Sequence, residues 1–287
     1  MMWGSGVQRT SSKRKKMIFQ DLTLLHKIAF LFFIILCGYL TYERNKLWDN
    51  EYTLWQHTIA KSPNKPKGHT YLGIAYAKDK RYKEAYEEFQ HALRLAPGDV
   101  EVRYNFGVLY AEKNEPDRAI IEFEAAIRLR PDLPDAYIGL ASIYMEKGSY
   151  KQAAPLLEAA LKIRPDRADI LTKLGLTLAM SGEFDHAETI FKRALDKTPD
   201  NAGLLTNLGN LELVKGNPKD AIYYYKMALQ INPEEPESLY NIALALEGLG
   251  KRDDAIRYYE TFISLNPDGY GEAIGSAKER LKWLKGL

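Results

Sequence analysis

Asn201-Ala-Gly-Leu-Leu-Thr-Asn-Leu-Gly-Asn-Leu-Glu-Leu-Val-Lys-Gly-Asn-Pro-Lys-Asp-Ala-Ile-Tyr-Tyr-Tyr-Lys-Met-Ala-Leu-Gln-Ile-Asn-Pro233 reads as two helices separated by the turn residues Gly216-Asn217-Pro218 and closed by a proline. Within it Gly209, Ala221, Tyr225 and Ala228 stand 24, 12, 8 and 5 residues before Pro233. The same marks recur on both sides. Pro97, Pro131, Pro165, Pro199, Pro233 and Pro267 are each 34 apart. The small position holds Gly73, Gly107, Ala141, Gly175, Gly209 and Ala243, and the large one Phe89, Phe123, Leu157, Phe191, Tyr225 and Tyr259. Ala85, Ala119, Ala153, Ala187, Ala221 and Ala255 complete the pattern. A small residue lets the two helices of a unit approach, the ring fills the gap between them, and the proline stops the second helix.

Six such units span 66–99, 100–133, 134–167, 168–201, 202–235 and 236–269. The pattern resembles the tetratricopeptide repeat (TPR) family. That resemblance implies an all-α, right-handed solenoid of six helix pairs, each too small to bury its apolar face alone but stacked into a shared core. Residues 270–287 carry Ala273, Ile274, Ala277, Leu281 and Leu284 at helical spacing, which predicts a C-terminal capping helix. Residues 43–65 read as a linker and an orphan second helix capping the first repeat, since Trp55 stands 34 before Phe89 and Pro63 stands 34 before Pro97.

Composition agrees with a helical array. The chain has only five valines, too few for an extensive sheet, and one cysteine, which excludes an intramolecular disulfide and a cysteine-based zinc site. Residues 1–47 hold eight Lys/Arg against two Asp/Glu, whereas the remainder is weakly acidic, which argues against nucleic acid as a partner.

The basic front end points elsewhere. Residues 1–20 read as a disordered basic tail around Lys13-Arg14-Lys15-Lys16. The apolar run Ile28–Leu40 alone is short, but extended over 21–42 it reaches the length of a transmembrane signal anchor, with Lys27 snorkelling and Tyr39, Tyr42, Trp48 and Trp55 at the far side. A cleaved signal peptide is an alternative, though no A-x-A-like site follows; a buried soluble helix is another, though the run from Phe30 to Leu36 is apolar all round. The charge bias predicts a single-pass protein with its N-terminus cytoplasmic and its array on the outer side, periplasmic in a bacterium or lumenal in a eukaryote. The junction Tyr42-Glu-Arg-Asn-Lys-Leu-Trp48, Glu51-Tyr-Thr-Leu-Trp55 and Lys61-Ser-Pro63 resembles the last membrane helix and TPR region of the transmembrane-and-TPR O-mannosyltransferases. Those proteins carry catalytic acids in early loops between many spans. The resemblance therefore implies an interaction module and not their activity.

No catalytic, cofactor-binding or metal-ligating constellation is visible. The five histidines are scattered, and His69 stands where this repeat holds a core aromatic. What remains is the groove lined by the first helix of each unit, helix A. Two residues before the small position stand Tyr71, Asn105, Gly139, Lys173, Asn207 and Asn241. An amide both donates and accepts, so it can hold a peptide backbone whatever its sequence. In O-linked N-acetylglucosamine transferase a run of asparagines resembles such a ladder. The expectation is a non-enzymatic, membrane-tethered scaffold that takes a protein or extended peptide segment on Asn105, Lys173, Asn207 and Asn241, flanked by Tyr71, Tyr104 and Tyr240. The alternative is a non-catalytic, substrate-recruiting or regulatory component of a membrane protein-glycosylation system.

Overall fold

A computed structural model describes residues 29–42 and 50–286, and it divides into two compact units, Met1–Asp99 and Val100–Leu287. The division coincides with the end of the first 34-residue repeat. Every regular element among the described residues is a helix.

The first unit holds α1 (residues 29–42), α2 (Glu51–Lys61), α3 (Pro66–Lys78) and α4 (Tyr82–Leu95). Every residue of α1 is exposed, Phe30, Phe32 and Phe33 included. Among the described residues no helix is long and apolar enough to cross a membrane. Residues 21–28 of the expected anchor lie outside the described residues, as do the tail at 1–20 and the linker at 43–49. Helix α2 is capped by the Asn50 side chain, which accepts from the Tyr52 amide, and it packs on α3. The approach is close: a Cβ on Gly68 would stand 2.9 Å from Ile59 Cγ1. Leu72, Ala75, Ala85, Phe89 and Ala92 form the buried seam between α3 and α4.

The second unit holds five helix pairs: α5 (Val100–Glu112) with α6 (Pro116–Leu129), α7 (Pro134–Glu146) with α8 (Tyr150–Ile163), α9 (Ala168–Ser181) with α10 (Phe184–Lys197), α11 (Ala202–Val214) with α12 (Pro218–Ile231) and α13 (Pro236–Gly248) with α14 (Arg252–Leu265). Then follows α15 (Gly271–Lys285), which buries Ile274, Ala277 and Leu284 and leaves Trp283 in solvent. Each pair turns on a residue at positive φ: Asn114, Gly148, Gly182, Gly216 and Gly250, spaced by 34, with Lys80 at the same place in the first unit. Glycine takes that conformation freely and asparagine tolerates it, but a lysine there is strained by roughly 1–2 kcal/mol.

The small position earns its name in the packing. A Cβ on Gly175 would stand 2.5 Å from Phe191 Cε1, and one on Gly107 would stand 2.7 Å from Phe123 Cδ1. Phe123 reaches further still, because a Cβ on Gly139 of the next repeat would lie 2.6 Å from Phe123 Cζ. One ring therefore fills the space of two absent side chains. The apolar core runs as a cluster from Ala141 through Leu157, Leu174 and Phe191 to Leu211, and a second from Ala221 through Tyr225, Ile242 and Tyr259 to Leu284. Ion pairs stitch neighbouring repeats at the surface: Lys215 Nζ meets Glu188 Oε2 at 2.6 Å, and Lys147 Nζ meets Asp117 Oδ1 at 2.9 Å.

Candidate binding groove

Counting from the first residue of each unit, the small residue stands at position 8 and the expected contact residues at position 6. All those with side chains are half-buried, so part of each reaches solvent. Their engagement differs. Asn105 Nδ2 donates to the Glu101 carbonyl oxygen one turn earlier at 2.7 Å, and Asn241 Nδ2 donates to Asn210 Oδ1 at 2.8 Å. Asn207 has no hydrogen-bond partner among the described residues. Lys173 Nζ reaches only Ser142 Oγ, at 3.4 Å. At Tyr71, in the first unit, the ring stacks on Trp55 with centroids 4.6 Å apart. Tyr104 lies 5.8 Å from the Phe123 ring, and burial, aided by the Asp135 charge, raises its phenol pKa. Tyr240 donates to Ser276 Oγ at 3.2 Å and packs edge-on against Tyr259. Gly139 offers no side chain because the Phe123 ring occupies its place.

Sequence reasoning missed Asn210, at position 9. Its Oδ1 accepts from both Tyr225 Oη at 2.7 Å and Asn241 Nδ2 at 2.8 Å, while its Nδ2 donates to Glu237 Oε1 at 2.7 Å. The signal was available: the fifth and sixth units carry tyrosine where most others carry phenylalanine. A buried phenol needs a partner. Tyr225 finds Asn210, and Tyr259 finds Glu247 Oε2 at 2.7 Å, whose other oxygen holds Arg280 at 2.9 Å. Burial drives both phenol pKa values well above their ordinary value, with the Glu247 hydrogen bond adding to it at Tyr259.

Family models described as tetratricopeptide repeat match residues 66–99, 104–168, 144–208, 202–235 and 236–268, together most of the chain. The chain is a tetratricopeptide repeat protein. No curated protein matches it in sequence. Solved structures share the TPR fold at low identity. YrrB, described as a TPR protein with an unusual peptide-binding site, is 21% identical, with a TM-score of 0.57, 65% of this chain and 96% of that one covered. PilW, described as a widely conserved type IV pilus biogenesis factor, is 20% identical, with a TM-score of 0.65 and coverage of 74% and 97%. PilF of Pseudomonas aeruginosa is 19% identical, with a TM-score of 0.60 and coverage of 74% and 97%.

A second feature of this TPR array went unread. Between α9 and α11 lies a pocket of about 390 Å³, floored by Phe184, Phe191 and Leu211 and walled by Leu176, Met180 and Val214, with Asn207 and Asn210 at its polar side. Met180 is 61% exposed and Val214 65%. Both occupy position 13, where three other repeats place Lys78, Glu112 and Glu146. Elsewhere the ionisable groups serve packing. His69, buried in the first unit, holds Glu88 Oε2 through Nδ1 at 2.7 Å and stacks on His91. Among the described residues no group of three His, Cys, Asp or Glu side chains is placed to hold a metal ion.

Proposed function

We propose that this TPR protein is a non-enzymatic scaffold that holds an extended segment of a partner protein along its helix-A groove and is tethered to a membrane through residues 21–42. The observation that carries the groove reading is the half-exposed row of polar side chains at position 6, on helices whose opposite faces are consumed by core packing. A neutral amide or ammonium in such a row serves main-chain and carboxylate recognition. The tether reading is supported by the apolar, wholly exposed α1 and the basic residues before it.

The test of the groove is the variant Asn105→Ala/Asn207→Ala/Asn241→Ala. It should keep its helical circular dichroism and lose the protein that co-purifies with the parent from solubilised membranes. Unchanged recovery would move binding to the other face. The tether is tested by carbonate washing and by protease added outside the cytoplasmic membrane; release by carbonate, or an array that protease cannot reach, would refute it. A second reading, a substrate-recruiting component of a membrane protein-glycosylation system, draws on the Tyr42–Trp48 junction sequence. It requires a multi-spanning transferase encoded nearby.

A further inference from the structure

Two polar side chains in the second unit are left without the partners that their counterparts have. Of its half-buried cations, Arg103 holds Glu122, Arg167 holds Asp135 and Asp169, and Lys215 holds Glu188. Lys173 is half-buried too, yet among the described residues it holds no carboxylate, and its one side-chain hydrogen bond is to the Ser142 hydroxyl. Of the asparagines at position 6, Asn105 and Asn241 each give one amide hydrogen to the protein itself, and Asn207 gives none among the described residues. Lys173 and Asn207 occupy the same position on adjacent A helices, and the apolar pocket opens directly along those two helices.

On α9 the stripe Lys173, Leu176, Met180 follows helical spacing, and on α11 the stripe Asn207, Asn210, Val214 follows it in parallel. Each stripe begins polar and ends apolar. A helix rises 1.5 Å per residue, so the centre of the Leu176–Met180 wall lies roughly 7 Å beyond Lys173. An extended peptide advances about 6.6–6.8 Å over two residues, which is the interval at which its side chains return to the same face.

We infer that the α9–α11 cleft binds an extended segment of a partner protein that seats a Leu, Met or Phe side chain among Leu176, Met180, Phe184 and Val214 and places an Asp or Glu, two residues away, on Lys173. Asn207 holds the main chain between them. The missing carboxylate fixes the charge of the partner, and the exposed Met180 and Val214, at a position charged in other repeats, fix its apolar anchor. This inference rests on the groove function proposed above and narrows it to one subsite and one sequence class.

The test is selection of random nine-residue peptides displayed against the full-length protein in detergent, followed by fluorescence anisotropy with the best peptide. The enriched set should pair Leu, Met or Phe with Asp or Glu two residues apart. Val214→Lys, which restores a charge of the kind other repeats carry there, should weaken binding tenfold or more. Lys173→Glu should do the same and should favour peptides in which Lys or Arg replaces the acid. Val214 is exposed and Lys173 half-buried, and helical circular dichroism checks that both variants fold. Failure to enrich any such pair, or a best peptide indifferent to both variants, overturns the inference. Peptides that ignore Val214→Lys and Lys173→Glu but are lost with Asn105→Ala or Asn241→Ala overturn the subsite alone. Peptides indifferent to all four variants overturn the groove reading with it.

Discussion

Adding one methyl group at Gly175 tests the packing of the repeat in quantitative form. A Cβ there stands 2.5 Å from Phe191 Cε1 and 2.6 Å from Cδ1. Carbon atoms in contact prefer about 3.5–4.0 Å, so the ring must retreat by about 1 Å. It has little room: Phe191 is 1% exposed and packed within the cluster that contains Leu174, Leu178 and Leu208. Overpacking of this kind costs about 1–3 kcal/mol, and the contact places it at the upper end. Alanine recovers about 1 kcal/mol of helix propensity over glycine. Gly175→Ala should therefore destabilise by about 2 kcal/mol. Phe191→Leu alone should cost about 1–2 kcal/mol, a fraction of the ~3–5 kcal/mol of full truncation to alanine. Together they should cost little more than Phe191→Leu alone, because the smaller side chain vacates the space that the methyl group needs. The third repeat already pairs Ala141 with Leu157, both fully buried. The sixth pairs Ala243 with Tyr259, whose hydroxyl is tethered to Glu247, so the compensation expected here belongs to a free phenylalanine ring. Urea unfolding followed by circular dichroism at 222 nm, with hydrogen exchange of α9 to localise the loss, gives the double-mutant cycle. A coupling of about 1.5–2 kcal/mol is expected. Additive costs would refute the proposed steric pairing.

Lys80→Gly relieves the positive φ of the first turn and should raise stability by about 1 kcal/mol; no rise in the thermal midpoint would mean the strain is absorbed elsewhere. Pro155 sits exposed inside α8, where it removes a helical hydrogen bond, so Pro155→Ala should stabilise by up to about 3 kcal/mol in urea unfolding. Lys192 and Lys215 hold the Glu188 carboxyl below its ordinary pKa of 4.5. Its ionised form therefore stabilises the fold above that pH, and the contribution disappears as pH falls through the lowered folded value. Glu188→Gln should flatten stability against pH between about 5 and 3, by about 1 kcal/mol or less because Lys192 is well exposed. An unchanged slope would show that the pair is screened.

The 34-residue spacing of proline, alanine and ring positions made the helix pairs legible, because each mark answers to a steric demand that repeats with the fold. The turns were legible only where glycine marks them. In the first two repeats Lys80 and Asn114 adopt the same backbone conformation without that sign, since neighbouring helices can impose a turn that composition does not favour. Position 6 could be recognised as a half-exposed row, but which asparagines are spoken for could not. That depends on the Tyr225 hydroxyl and on Glu237, one helix and one repeat away from Asn210. The pocket beside Asn207 was equally hidden, although the exchange of charge for Met180 and Val214 at position 13 is visible once the repeats are aligned on one another. The expected anchor at 21–42 stays a reading of hydropathy and charge.

Phe123 bears on how interchangeable these repeats are. Its ring belongs to the second unit yet occupies the space above Gly139 in the third. The equivalent ring of the fourth unit, Phe191, is followed by Asn207, which keeps its side chain. The second and third repeats are thus cut as a matched pair. Placing the fourth repeat directly after the second would set Lys173 where Phe123 needs a glycine, and moving the third repeat behind the fourth would leave Gly139 facing an unfilled gap. Duplication or shuffling of single units, a natural mode of growth for arrays of this kind, would be hindered at this joint and tolerated more readily where each ring ends on its own glycine.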